Sequence, residues 1–279
     1  FSYVATTSAI VWEKCTPVFV DIHPEYLTID ETKIEAAITD KTTAILATHV
    51  YGNPCDVITI DKIAKKHNLK VIYDAAHCFG LKYNGQSIFN YGDVSTCSFH
   101  ATKIFHTGEG GALFCKDKNI YDKMYYRHNF GHKGTLEFHG LGINAKMSEL
   151  QAAMGLTILP YIDDIIEARK QIVNFYLKEL NGSGLSFLKI RERTDWNYSY
   201  FPIIFESEEI LIKVKEAEEV DQVKKVDALN KPFYLIPGNH DISANSNALV
   251  FLGRTHFYEG LGMEPVAHAV RTAVKAGCK

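Results

Sequence analysis

The chain has 279 residues, of which 46% are hydrophobic and 23% charged, with a formal net charge of −3. This apolar content is enough for a core and excludes a mainly disordered chain, and the charge excludes a strongly basic nucleic-acid binder. The length allows roughly one or two domains of about 150 residues each.

The chain opens on Phe1, and its first methionine is Met124. The N-terminus is therefore expected to be processed or missing, and nothing near it resembles a signal peptide. Pro17–Ile22 (PVFVDI) is β-branched and apolar and predicts a strand. Asp30 predicts the N-cap of a helix running to Ile38. Thr43–Thr48 predicts a buried strand, and Ile58–His67 a helix with Ile60, Ile63 and Ala64 on one face, closed by Asn68. Leu69–Asp74 predicts the next strand. Short strands follow at Ser95–Phe99 and Ala112–Cys115, around a glycine-rich stretch. Strands alternating with helices at this spacing predict an α/β fold with a mainly parallel sheet and flanking helices.

Ser148–Leu180 carries the longest helical pattern, with apolar residues from Leu150 to Phe175 at helical spacing and an interruption expected at Pro160. Glu206–Lys231 is dense in charge and reads as a solvated amphipathic helix. A Pro-Gly turn (PGNHD) and a glycine-punctuated tail follow. The expected division is a core at 1–145, a long helix and the start of a smaller domain at 146–205, and an atypical C-terminal segment at 206–279.

The six cysteines, Cys15, Cys55, Cys78, Cys97, Cys115 and Cys278, form no CxxC pair. They read mostly as small buried hydrophobes of a reducing, cytoplasmic protein. No Cys/His spacing fits a zinc site, so no metal is expected. No run of about 18 apolar residues predicts a membrane span.

Asp74 ends a parallel strand, on the sheet edge where ligands bind in α/β proteins. Small residues follow it, so a flat ring could approach. Lys103 lies about thirty residues on, in a turn flanked by Ser98, Gly108, Gly110 and Gly111. A strand-end carboxylate with a lysine in such a turn suits pyridoxal 5'-phosphate. The carboxylate keeps the ring nitrogen protonated, and the lysine forms a Schiff base and moves the proton. On spacing alone, Asp74 reads more readily as an N-cap or turn residue and Lys103 as a solvated one.

Several ordered segments resemble the nucleotide-sugar aminotransferases of the DegT/DnrJ/StrS type. They are FSYVATTSAI at the start, PVFVDI, THVYG at Thr48–Gly52, YDAAHCFG at Tyr73–Gly80, SFHATK with EGG, and GINAKMSELQAAMGL at Gly142–Leu156, followed by a helix with Arg169. The resemblance covers roughly residues 1–205. It implies the aspartate-aminotransferase type I fold, incomplete here, and transfer of an amino group from glutamate to a keto carbon of a nucleotide-linked deoxysugar, in two ping-pong halves. It further implies that Lys103 is the catalytic lysine and holds the cofactor, and that Asp74 pairs with the pyridine nitrogen. His77 stands where the family commonly has Gln, facing the ring hydroxyl. Tyr3 would stack on the ring, Ser98 would bond the cofactor phosphate, and Asn144 would reach the phosphate in a partner subunit, implying a homodimer with shared sites. Relatives that dehydrate instead carry histidine at the lysine position, so Lys103 favours transamination.

Residue by residue, other readings stay open. Ser98 could bond its own backbone, Asn144 could cap the following helix, and Tyr3 could be a core aromatic. His100 and His106 are expected to support the lysine loop or a substrate phosphate. The family normally has some dozens of residues before the equivalent of Phe1, and its small-domain sequence is not expected to continue past about Lys215. Lys231–Asp241 (KPFYLIPGNHD) resembles one ligand block of calcineurin-like metallophosphoesterases. Leu252–Gly260 and Val266–Gly277 resemble a stretch of purine nucleoside phosphorylase. A composite chain is therefore expected at the C-terminal end, and the alternative function is an inactive aminotransferase fragment or chimera.

Overall fold

The computed structural model describes residues 2–216. Helix α1 (Val4–Trp12) opens the chain, with Tyr3 as its N-cap. Strand β1 (Ala44–Thr48) leads to helix α2 (Val57–Lys66) and then strand β2 (Lys70–Asp74). α2 forms because Asp56 caps it, its carboxylate accepting from the Thr59 amide, while Val57, Ile60, Ile63 and Ala64 fall on one buried face. It ends where Asn68 takes a left-handed conformation, φ 54°. The crossover through α2 makes β1 and β2 parallel, with Thr48 opposite Asp74.

Strands β3 (Lys82–Tyr83) and β4 (Gln86–Ser87) form a hairpin across Asn84-Gly85, both at positive φ, as a two-residue hairpin turn requires. Strand β5 (Val94–Ser98) pairs parallel with β2, and strand β6 (Gly111–Cys115) runs antiparallel beside β5. The main sheet thus has the order β1-β2-β5-β6. Its inner face and α2 build the core, with Ile45, Ala47, Val71, Tyr73, Ile60 and Ile63 among the buried residues.

Helix α3 (Lys118–Arg127) follows, then α4 (Glu149–Ile158) and α5 (Ile162–Glu179). Ser148 caps α4 in a reciprocal capping box with Gln151. The expected interruption at Pro160 is present: a short 3₁₀ turn, Leu159–Tyr161, separates α4 from α5. Proline has no N–H to continue the ladder.

By internal contacts the described residues form two units, one of residues 2–179 with Lys189–Tyr200, the other of Leu180–Leu188 and residues 201–216. In the second, strand β7 (Ser186–Phe187) pairs antiparallel with a strand at Ile203–Ile204, and residues 208–216 are helical. In the first, strand β8 (Thr194–Asp195) pairs antiparallel with β3. With β8 placed, the Ile203–Ile204 strand is β9.

Two expected elements differ. Pro17–Ile22 is not a strand. Val18 and Phe19 are 66% and 75% exposed, and only Ile22 pairs, in a single bridge to Ile29. A β-branched run becomes a strand only where a neighbouring strand supplies its hydrogen bonds, and among the described residues none lies beside it. Asp30 caps as expected, accepting from the Thr32 amide at 3.1 Å, but the turns that follow are two 3₁₀ pieces, Glu31–Lys33 and Glu35–Ala37. The remainder of the expected Glu206–Lys231 helix, the PGNHD turn and the Leu252–Gly277 stretches lie outside the described residues.

Candidate active site

Parallel strands end together on one edge of the sheet. Asp74 ends β2 and Ser98 ends β5, on adjacent strands. The Asp74 carboxylate is held by two donors: the Ala76 amide donates to Oδ1 at 3.1 Å, and the Thr6 hydroxyl on α1 donates to Oδ2 at 2.6 Å.

After β5 the chain turns, and the Lys103 amide donates to the His100 carbonyl at 2.9 Å. His100 supports this turn from within: its Nδ1 lies 2.9 Å from the Thr102 hydroxyl and accepts from the Thr102 amide at 3.3 Å. The Lys103 side chain reaches a cleft bounded by Ala76 and His77 on one side, Thr102 and Ile104 on another, and Ser199 and Tyr200 on a third. The Cys97 thiol, on β5 just before Ser98, is buried. Burial pushes that thiol up to about 12, so it stays protonated at neutral pH.

His77 is oriented by the β1–α2 turn. Tyr51 sits at φ 58° there, and its amide donates to His77 Nδ1 at 3.0 Å. An Nδ1 that accepts leaves the ring proton on Nε2, so His77 is a neutral donor at that atom. The turn packs tightly against a later segment. A Cβ on Gly52 would fall 2.6 Å from Asn197 Oδ1, so only glycine fits. Beneath the turn, His49 is buried and stacks on Tyr73 at 4.5 Å. Its Nδ1 accepts the Cys55 amide at 3.0 Å, and burial lowers its pKa to about 3.

The third wall is built by Trp196–Tyr200. Asn197 donates to the His77 and Phe79 carbonyls at 2.8 and 2.9 Å, and the Ser199 hydroxyl donates to the His77 carbonyl at 2.8 Å. From α5, Arg169 donates to the Tyr198 and Ser199 carbonyls at 3.0 and 2.6 Å. So held, the Tyr200 ring lies 4.6 Å from the His77 ring and 6.0 Å from Lys103 Nζ.

Of the residues singled out from sequence, Asp74, His77, Ser98 and Lys103 gather at this strand edge. Ser98 Oγ accepts from the His100 amide at 3.3 Å, a local backbone bond that leaves its own proton to donate elsewhere. Tyr3 lies one turn before Thr6 and accepts the Thr6 amide through its carbonyl at 3.2 Å. Its side chain is 63% exposed, so it is not a core aromatic. Asn144 is elsewhere: it is exposed, bridges to Asn129 and accepts from Lys146. It does not cap α4, which Ser148 does. Among the described residues no cluster could hold a metal ion. Thr6, Tyr51, Ser199 and Tyr200 were not singled out. Thr6 and Tyr51 lay in quoted motifs, whereas Ser199 and Tyr200 carried no sequence signal, because the long-range antiparallel pairing of β8 with β3 brings them here.

A model described as the DegT/DnrJ/EryC1/StrS aminotransferase family matches residues 1–244. Over 209 residues the chain is 45% identical to a dTDP-4-amino-4,6-dideoxy-D-glucose transaminase of Shigella dysenteriae, covering 75% of this chain and 57% of that protein. The fold is similar to that of DesI solved in the presence of its TDP-sugar product, with TM-score 0.69, 33% identity, and 74% and 53% of the two chains covered. It is also similar to the PLP-form of the sugar aminotransferase Spr1654, described as putative, from Streptococcus pneumoniae, with TM-score 0.71, 26% identity, and 78% and 63% covered. The chain spans about half the length of the curated relatives it matches.

Proposed function

Since the chain belongs to the DegT/DnrJ/EryC1/StrS aminotransferase family, we propose that it carries the catalytic core of a pyridoxal-phosphate enzyme. That enzyme moves an amino group from glutamate to a keto carbon of a nucleotide-linked deoxysugar. The observation that carries this reading is the meeting of Asp74, His77 and Lys103 at one strand edge. The residues fit a flat, phosphorylated pyridine. Asp74 is fixed by two donors and keeps lone pairs for a ring N–H. Ala76 on the cleft wall is small enough for a ring to lie against.

Bound pyridoxal phosphate supplies an aldehyde for a lysine amine and a protonated ring that withdraws electrons from the reacting carbon. Lys103 would hold the group through Nζ, and the same amine would serve as the acid and base that moves a proton at the reacting carbon. Asp74 keeps the proton on the ring nitrogen. His77 donates from Nε2 to the ring oxygen, as the family's glutamine would, while Ser98 donates to the phosphate and Tyr3 covers the ring face. Glutamate and the sugar use the same cleft in turn.

Asn144 serves a second copy's site in this reading. It lies in a stretch whose apolar side chains are open to solvent, with Leu136 and Leu141 90% and 91% exposed and Leu150 84%. Such a band is unusual on a monomer and supports a homodimer. Among the described residues no helix is long and apolar enough to cross a membrane. The described cysteines are all unpaired thiols, in keeping with the reducing cytoplasm assigned to it. The family match continues through Lys231–Asp241 to residue 244, past the Lys215 limit expected from sequence, and no phosphoesterase activity is assigned to that segment.

The test is titration of the purified full chain with pyridoxal phosphate, followed by amino transfer from glutamate. A visible absorption band that glutamate discharges supports the reading, and a chain that develops no band sinks it. His77 gives a finer expectation. His77→Gln keeps a neutral donor and should retain cofactor binding within about threefold, whereas His77→Leu loses a hydrogen bond and should weaken it about tenfold. Equal binding by both variants, measured by the same titration, would show that His77 makes no such contact.

A further inference from the structure

Helix α1 buries none of its side chains completely. Yet across 68 residues of sequence it makes one short polar contact, the Thr6 hydroxyl on Asp74 Oδ2 at 2.6 Å. We propose that Thr6 is a positioning residue for Asp74, which sets the plane in which that carboxylate meets the cofactor's ring nitrogen. The proposal rests on the aminotransferase reading above.

An O–H···O distance of 2.6 Å to a carboxylate is that of a charge-assisted bond, stronger than a neutral one. The other oxygen is taken by the Ala76 amide at 3.1 Å. One donor on each oxygen stops rotation about the last side-chain bond, which either donor alone would leave open. A carboxylate offers about four lone-pair sites, so two remain for the ring N–H. Threonine suits the task. Its branched Cβ restricts χ1 to few rotamers, so little side-chain freedom is lost when the hydroxyl seats on the carboxylate. The same helical turn carries Tyr3, whose carbonyl accepts the Thr6 amide at 3.2 Å. Seating Thr6 on Asp74 therefore also places Tyr3, and the carboxylate and the ring-covering aromatic are set by one contact.

A purely structural role for Thr6, docking α1 by its shape, makes different demands. The hydroxyl would then be dispensable, and the branched methyl would not. The experiment compares the full chain with Thr6→Val, which keeps the shape, and Thr6→Ser, which keeps the hydroxyl. Each is titrated with pyridoxal phosphate, reading its dissociation constant and the position of the absorption band, with melting temperature as a control. The expected result is about tenfold weaker binding and a displaced band for Thr6→Val, with melting unchanged, and recovery to within about threefold for Thr6→Ser. A Thr6→Val chain that binds like the parent with the same band overturns the proposal. So does a Thr6→Ser chain as weak as Thr6→Val. A parent chain with no band removes the aminotransferase reading and this inference together, and that outcome is distinct from the other two.

Discussion

Lys103→Ala should abolish measurable amino transfer, with kcat reduced by at least about 10³-fold, the scale of losing a positioned acid–base group that is also the covalent anchor. The size follows from what surrounds the lysine. Cys97 is close enough to sense its charge, but burial pushes that thiol up to about 12, so it supplies neither a base nor a nucleophile at neutral pH. His77 is as near to the cleft, but its Nδ1 already accepts the Tyr51 amide and its Nε2 carries the proton, leaving no lone pair to take another. Nothing described on that wall can substitute as a base. The measurement is single-turnover transfer from glutamate with the cofactor added in excess, alongside the absorption spectrum. Lys103→Ala should still bind pyridoxal phosphate weakly through the contacts of Asp74, but without the lysine-dependent band. A variant that retains even a tenth of the parent rate would remove Lys103 from its assigned role.

How much of this arrangement was legible from sequence depends on distance along the chain. α2 could be read to within a residue at each end, because its buried face and its terminating Asn68 are local signals, although its Asp56 cap was not singled out. The break at Pro160 was equally local. The PVFVDI segment carried a strand's composition, yet pairing is not a local property, and Val18 and Phe19 remain exposed. The site divides in the same way. Asp74 and Lys103 could be named because each follows a strand in a recognisable turn. Ser199 and Tyr200 could not, since they reach the cleft only through the β3–β8 pairing and the Arg169 and Asn197 hydrogen bonds. Thr6 lay inside a quoted motif, but its bond to Asp74 spans 68 residues, and no spacing rule announces such a pair.

Asp74→Asn should lower kcat by about 10²- to 10³-fold, the range found when one preorganised electrostatic partner is lost, and should leave the fold intact. The substitution keeps the shape and one acceptor. Asn Oδ1 can still take the Ala76 amide, and the Thr6 hydroxyl can turn to accept from the new amide group, so neither neighbour is stranded. What disappears is the negative charge that, in the proposed function, holds a proton on the ring nitrogen. The loss should therefore fall on kcat rather than on KM, because Asp74 is assigned to the cofactor ring and not to the substrate. Melting within a few degrees of the parent, with this kinetic pattern, would support the assignment; unchanged kcat would end it. The pairing with Thr6 gives the stricter form of the test. If Thr6 acts through the Asp74 carboxylate, Thr6→Val should be costly in the parent and nearly silent in an Asp74→Asn background, where there is no charge left to orient. If the two effects simply multiply, the hydroxyl acts on something other than Asp74.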